Sequence, residues 1–478
     1  MAFFLGISAN IDILLVAQIV PTIISSMIAG GAGEILVTSQ KKDKQFDTTF
    51  VALFLAIILA LTAAINGLYF LTTPLFANLF EVDPERPEKW ALFYELTILV
   101  LISRIPTAIV STLQHMLFSG GKYKFYVYSS LIAEAGGILT IVATVQSMDV
   151  AAFALGLIVS STLNAVFFLF TLRIPLAHIF SSVQWKKHIN ELKGILKRVF
   201  NLGGQTLINQ LSTFWERTLS SRYLQPGFLG ALNYSKSLSE LPKMAMLSSI
   251  LTTTYIEQVN HRKESESAYE AYTLKMEYLL SKISFVFQIL AMIFGPALIL
   301  VFYKRGQFDL AAVDLTFAIY QILTLSFVPN LMLNFLSRTM YIEEEYNKLF
   351  RAIVFNFIVE SGLMFILIQF TNMAIPIALT VGKFFLSGLL FYHLYKKKPN
   401  MLNARAFIRL YITLILSTSF ILVVNTYLMN FLKFLPTWQV IAWYIPIGIL
   451  SVLLIAYIGI RNNIKPFNKL KKFLPFIK

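Results

Sequence analysis

Apolar runs recur along nearly the whole chain, each about the length that carries a helix across a bilayer, and short polar segments separate them. Thirteen spans are predicted, near 11–36, 48–72, 92–118, 124–146, 151–176, 201–222, 229–256, 276–303, 310–341, 349–371, 374–395, 407–430 and 438–460. The tightest interruption is Lys304-Arg305-Gly306-Gln307, where one apolar helix ends near Phe302 and the next restarts near Asp309 or Asp314. Gly306 supplies the turn, and the acidic residues suit a helix N-terminus. So short a hairpin makes the two helices antiparallel neighbours. The fold class expected is an all-α polytopic membrane protein.

The polar segments add orientation. Most of the 40 Lys and Arg residues fall in one alternate set of loops, 40–47, 119–125, 173–200, 257–275, 338–352, 396–409 and 461–478. The positive-inside rule makes that set, and with it the C-terminus, cytoplasmic. The loop 79–90 leans acidic and fits the outer side. Thirteen spans then leave the N-terminus outside, and the expectation is that one helix precedes Met1. The longest cytoplasmic connection divides five spans from eight, and its end, WKKHINELKGILKR, reads as an amphipathic helix on the inner leaflet. The expected organisation is an N-terminal lobe (1–177), a linker (178–200), a C-terminal lobe of six helices (201–396) and an extra helix pair with a basic tail (397–478). The lobes would enclose a central cationic cavity, as in transporters built from repeats. The tail KPFNKLKKFLPFIK would rest on anionic lipid.

Composition narrows the class. Hydrophobic residues make up 57%, charged residues 14%, and mean hydropathy is +0.69, too apolar for a soluble domain of this length. The net charge of +15 belongs to cytoplasmic loops and lipid headgroups rather than to nucleic acid. With no cysteine, disulfides, thiolate metal sites and cysteine nucleophiles are excluded. The five histidines have no metal-ligand spacing, and no phosphate-binding loop of the G-x-x-x-x-G-K-[ST] type occurs, so neither metal nor cofactor is expected.

Charges inside the spans carry the candidate chemistry. Asp12, Arg104, Glu134, Glu216, Arg217, Lys236, Glu240, Lys243, Lys282, Glu360 and Lys383 lie at or within apolar runs. Each costs roughly 2.5–3.5 kcal/mol at mid-helix, so these groups should face one another or water. Asn233, Lys236, Glu240 and Lys243 share one helix face, as do Gln205, Asn209, Ser212 and Glu216 on the preceding helix. The functional reading makes Lys236, Lys243, Arg217 and Arg104 a cationic site for a pyrophosphate or anionic sugar, with Glu240, Glu216, Asp12 and Asn209 in the same wall. The plainer readings are that Lys236 and Glu240 neutralise each other, that Lys282 and Lys243 snorkel to headgroups, and that Asp12 caps a helix. Arg338 with Glu343-Glu344-Glu345 would be a solvated helix end or an inner gate. Lys304-Arg305 would serve the turn and touch headgroups.

The order Gly295-Pro296, Tyr303, Arg305-Gly306-Gln307-Phe308, Tyr320, Arg338 and Tyr341 resembles the segment that marks MurJ/MviN-type lipid II flippases, in the superfamily of multidrug, oligosaccharidyl-lipid and polysaccharide exporters. Gly6, Asp12, Pro21 and Gly30-Gly31 at the start, Glu240 and Pro242, and the run Ala374 to Lys398 with its basic exit extend the likeness. The chain departs from the family at Ser25, Ser26, Gly30 and Ser237, where charged residues are expected, and the family's first helix is missing. The resemblance implies a flippase, not an enzyme, that moves an undecaprenyl-pyrophosphate-linked saccharide, lipid II, by alternating access in the bacterial cytoplasmic membrane. Its partners would be that lipid, anionic membrane lipids and a coupling ion. A flippase for another lipid-linked oligosaccharide, a cation-coupled drug exporter and a polytopic glycosyltransferase stand as alternatives; the short outer loops weigh against the last.

Overall fold

The structure, a computed structural model, describes residue 6 and residues 8–23, 48–79, 87–119, 123–175, 177, 207–242 and 248–446. The predicted linker helix, Lys243 and the basic tail lie outside the described residues. Among those described there is no strand, and eight helices are long and apolar enough to cross a membrane, nine if a bent pair counts as one span. The chain falls into two compact units, Phe3–Gly230 and Ala231–Lys478.

The first unit holds α1 (Ala9–Ala17, prolonged to Ile23), α2 (Thr48–Leu79), α3 (Pro87–Ser119), α4 (Tyr123–Met148), α5 (Ala151–Leu172) and α6 (207–223). Ser8 starts α1 by accepting from the Ile11 amide, satisfying one of the donors a helix start leaves over. Phe50, Leu53 and Phe54 on α2 share a face and pack against Leu113 and Leu117 of α3 and Phe168 of α5. Lipid is as apolar as these side chains, so close van der Waals packing holds the interface. The opposite pattern marks α4, whose Leu131, Ile138, Leu139 and Val142 remain exposed, as a lipid-facing surface requires.

The second unit contains most of α7 (Phe228–Pro242), then α8 (Ser248–Glu264), α9 (Glu266–Phe302), α10 (Leu310–Thr324), α11 (Phe327–Ile342), α12 (Tyr346–Leu367), α13 (Ala374–Lys397) and α14 (Ala404–Leu432). Its core gathers Leu280 and Phe287 of α9, Met332 and Phe335 of α11, Leu390 and Phe391 of α13 and Phe407 of α14. The hairpin after α9 turns at Gly306, whose φ of 63° only glycine adopts freely. Asp309 then caps α10 by accepting from the Ala312 amide at 2.7 Å.

Two elements differ from the sequence expectation. The helix expected from 276 begins at Glu266, because Ser265 caps it there by accepting from the Ala268 amide. The span expected over 310–341 is two helices meeting at 42°. Pro329 has no N–H to offer the Leu325 carbonyl, and the Val328 amide donates instead to Gln288 Oε1 of α9 at 2.9 Å. On the other side of the break the Thr380 hydroxyl of α13 donates to the Ile322 carbonyl at 2.9 Å.

Candidate substrate site

In the first unit, charged side chains collect around α1. The last carbonyls of a helix lack donors, and Arg217 of α6 donates through Nη1 to one of them, Leu15 O, at 2.7 Å. Asp12 accepts from the amides of Gly227 at 2.6 Å and Gly230 at 2.9 Å, placing its charge on the positive N-terminus of α7. Both carboxylate oxygens are thus committed to the start of a helix far along the chain, while Ser8 caps Asp12's own helix. Arg104 of α3 donates through Nη2 to Thr22 Oγ1 at 2.9 Å. It lies close enough to Arg217 for the two like charges to repel. Arg104 Nε is buried and finds no acceptor among the described residues. Glu216, beside Arg217, is buried at 3% exposure, whereas Asn209 on the same predicted stripe is exposed. The stripe therefore runs from an exposed end at Asn209 to a buried one at Glu216.

On α7, Asn233 and Lys236 are half-buried and Glu240 is exposed, while Leu232, Ser235, Leu238 and Ser239 are buried. The 3.6-residue period here separates the predicted polar stripe from the packed face. Ser235 fixes that face by donating to Thr316 O of α10 at 2.8 Å. Lys383 is half-buried and Glu134 is exposed. Exposed Lys282 lies 4.1 Å from the centroid of Tyr278, a cation over an aromatic face, as a snorkelling lysine can. Glu360, 3% exposed, accepts from Asn356 Nδ2 at 3.2 Å, and Asn356 Oδ1 is buried with no partner among the described residues.

The ends of the second unit revise two plainer readings. Lys304 does more than serve its turn. Its Nζ donates to the carbonyls of Lys433 and, at 3.1 Å, Leu435, capping the end of α14. Of the run Glu343-Glu344-Glu345, only Glu344 is exposed. Glu343 is a buried hub, its side chain 1% exposed, paired with Arg262 at 3.4 Å, Lys397 at 3.2 Å and Lys398 at 2.6 Å. Glu266 pairs with Arg262 and Lys398 at the rim. Hydrogen bonds from Lys397 and then Lys348 hold the Glu345 carboxyl below its usual range. Sequence reasoning did not single out Pro329 with Gln288, although a proline four residues after Leu325 was the available signal. It named Glu343 only within its acidic run, as part of a solvated helix end or an inner gate, and the cations that enclose it lie far along the chain.

Long apolar helices in two units, one of them broken in mid-span, with half-buried arginines in the first unit, define a polytopic membrane protein. Residues 1–446 match the family model for lipid II flippase MurJ, and the chain belongs to that family. It is therefore a multi-pass transporter of a lipid-linked saccharide, the lipid II precursor of peptidoglycan. Its fold is similar to that of a solved lipid II flippase MurJ in an inward closed conformation, at 16% identity and a TM-score of 0.72, over 97% of this chain and 95% of that one. It is also similar to an inward-facing multidrug resistance MATE family transporter of the MOP superfamily, at 15% identity and a TM-score of 0.58, over 88% of this chain and 93% of that one. A eukaryotic MATE transporter follows at 14% identity and a TM-score of 0.53, over 85% and 87% of the two chains. No curated protein matches the chain by sequence.

Proposed function

We propose that Arg104 and Arg217 receive the pyrophosphate of lipid II while the polyprenyl tail stays in the bilayer. The observation that carries this reading is the half-buried Arg104 guanidinium, which lies near the like-charged Arg217 and keeps its buried Nε without an acceptor among the described residues. A buried N–H left unpaired is unfavourable, and pyrophosphate oxygens supply short, charge-assisted acceptors. Alternating access then exposes the headgroup to one side of the cytoplasmic membrane and then to the other, with the C-terminus cytoplasmic and the expected lobes 1–177 and 201–396 as the moving parts. The activity is transport without covalent chemistry. A coupling cation would find oxygen ligands at Glu360 and Asn356, where the amide oxygen is unmatched.

The test is growth of a strain depleted of its own lipid II flippase when this chain is expressed. Rescue that disappears with Arg104→Met and Arg217→Met supports the reading. Absence of rescue, with the protein verified in the membrane, moves the reading to another polyprenyl-linked saccharide. Ser25, Ser26 and Ser237, uncharged where the family likeness leads one to expect charge, favour that second reading.

A further inference from the structure

The helix α9 carries Pro296 within its last two turns. Proline has no N–H, so the Met292 carbonyl, four residues earlier, loses its intrahelical donor. In a membrane such a group needs a replacement from a neighbouring element. Asn425 of α14 supplies it: its Nδ2 donates to Met292 O at 2.7 Å, and the side chain is 2% exposed. The preceding carbonyl, Ala291 O, takes a second donor, the Tyr320 hydroxyl of α10, at 2.9 Å. Gly295 leaves room for that ring, since a Cβ there would lie 2.5 Å from Tyr320 Cε1. Further along the same helices, Lys304 caps the end of α14, and Lys433 of that end pairs with Asp314 of α10 at 2.9 Å. Three separate polar ties therefore join α14 to the segment made of the end of α9, its hairpin and α10.

We propose that Asn425 is a positioning residue for transport: by supplying the donor that Pro296 removes, it couples α14 to α9 and α10 so that the three move as one piece. On this account α14, which lies beyond the six helices expected of the lobe, is a working part of the second unit. The proposal rests on the flippase reading for its activity readout and on hydrogen exchange for its structural one.

The test uses the full chain and three variants, Asn425→Leu, Pro296→Ala and the double variant. Asn425→Leu strands the Met292 carbonyl, and transport falls by roughly tenfold or more. Pro296→Ala restores a backbone donor to that carbonyl. The double variant should therefore regain membrane abundance and thermal stability while transport stays low, because the tie to α14 is still absent. Recovery of transport in the double variant would reduce Asn425 to a structural filler and overturn the proposal, as would full transport by Asn425→Leu alone. Hydrogen exchange on purified protein separates this from the functional reading. Exchange over residues 292–308 and 425–435 should rise together in Asn425→Leu, whatever the wild type transports. Unchanged exchange overturns the positioning role even if lipid II transport is established, and faster exchange in a protein that fails to transport lipid II leaves the coupling standing while the substrate reading falls.

Discussion

The two units both bury charge, and they treat it in opposite ways. In the second, Glu343 is enclosed by Arg262, Lys397 and Lys398, and the outer members of the cluster find Glu266 and Glu345. In the first, Arg104 and Arg217 donate to a hydroxyl and a backbone carbonyl, and Arg104 keeps an unmatched N–H. A buried charge matched within the protein holds helix ends together. A cation that donates to a neutral hydroxyl and keeps a buried N–H unmatched, as Arg104 does, retains the capacity to bind an anion. The contrast separates architecture from machinery more sharply than the mere presence of charges in apolar helices.

The largest effect should come from Arg104→Met combined with Arg217→Met, which removes the incompletely matched pair. Lipid II transport in proteoliposomes is expected to drop by roughly a hundredfold or more, two charge-assisted contacts being lost. The melting temperature of the purified protein should stay the same or rise, and a large fall would make these arginines structural. The converse experiment is Glu343→Ala. It removes the partner that three cations share, though each keeps Glu266 or Glu345, and should destabilise the second unit by about 1–2 kcal/mol. Unfolding in detergent monitors this, and an unchanged denaturation midpoint would show that the hub is dispensable. A smaller loss is expected from Asp12→Asn, which leaves only one of two acceptors for the Gly227 and Gly230 amides and should cost about 1 kcal/mol as a weakened helix cap.

The smallest effect is one of pH. The Glu345 carboxyl is held below its usual range by Lys397 and Lys348. Its contribution to stability is therefore complete above the ordinary carboxylate range and disappears as pH falls through the lowered value. Thermal stability measured from pH 7 down to pH 3 should decline less steeply in Glu345→Gln than in the wild type. Identical slopes would mean that the pairs around Glu345 are too solvated to matter.

Features set by neighbours in sequence were legible without the structure. The predicted spans 151–176 and 374–395 start where Ala151–Leu172 and Ala374–Lys397 start. The turn at Gly306 and the cap at Asp309 follow from residues a few positions away. What escaped depends on partners far along the chain. Gln288 takes the Val328 amide across 40 residues, and Lys398 reaches Glu343 across 55. Helical periodicity reports which residues share a face but says nothing of what that face meets. It grouped Asn209 with Glu216, although one is exposed and the other buried. An apolar run around Asp12 likewise marked it as a cavity charge without revealing that the glycine amides at the start of α7 occupy both oxygens.

The bond from Asp12 also constrains how the protein is made. Its two amide donors are 215 and 218 residues downstream, so a ribosome must synthesise five long apolar segments before they exist. Throughout that interval α1 carries a carboxylate with no native partner, and a lone carboxylate in hydrocarbon is strongly disfavoured. The nascent first unit must therefore keep α1 near water or within the insertion machinery until residue 230 has emerged. Of the helices of the first unit, α1 is made long before its last partners and is among the last to be seated.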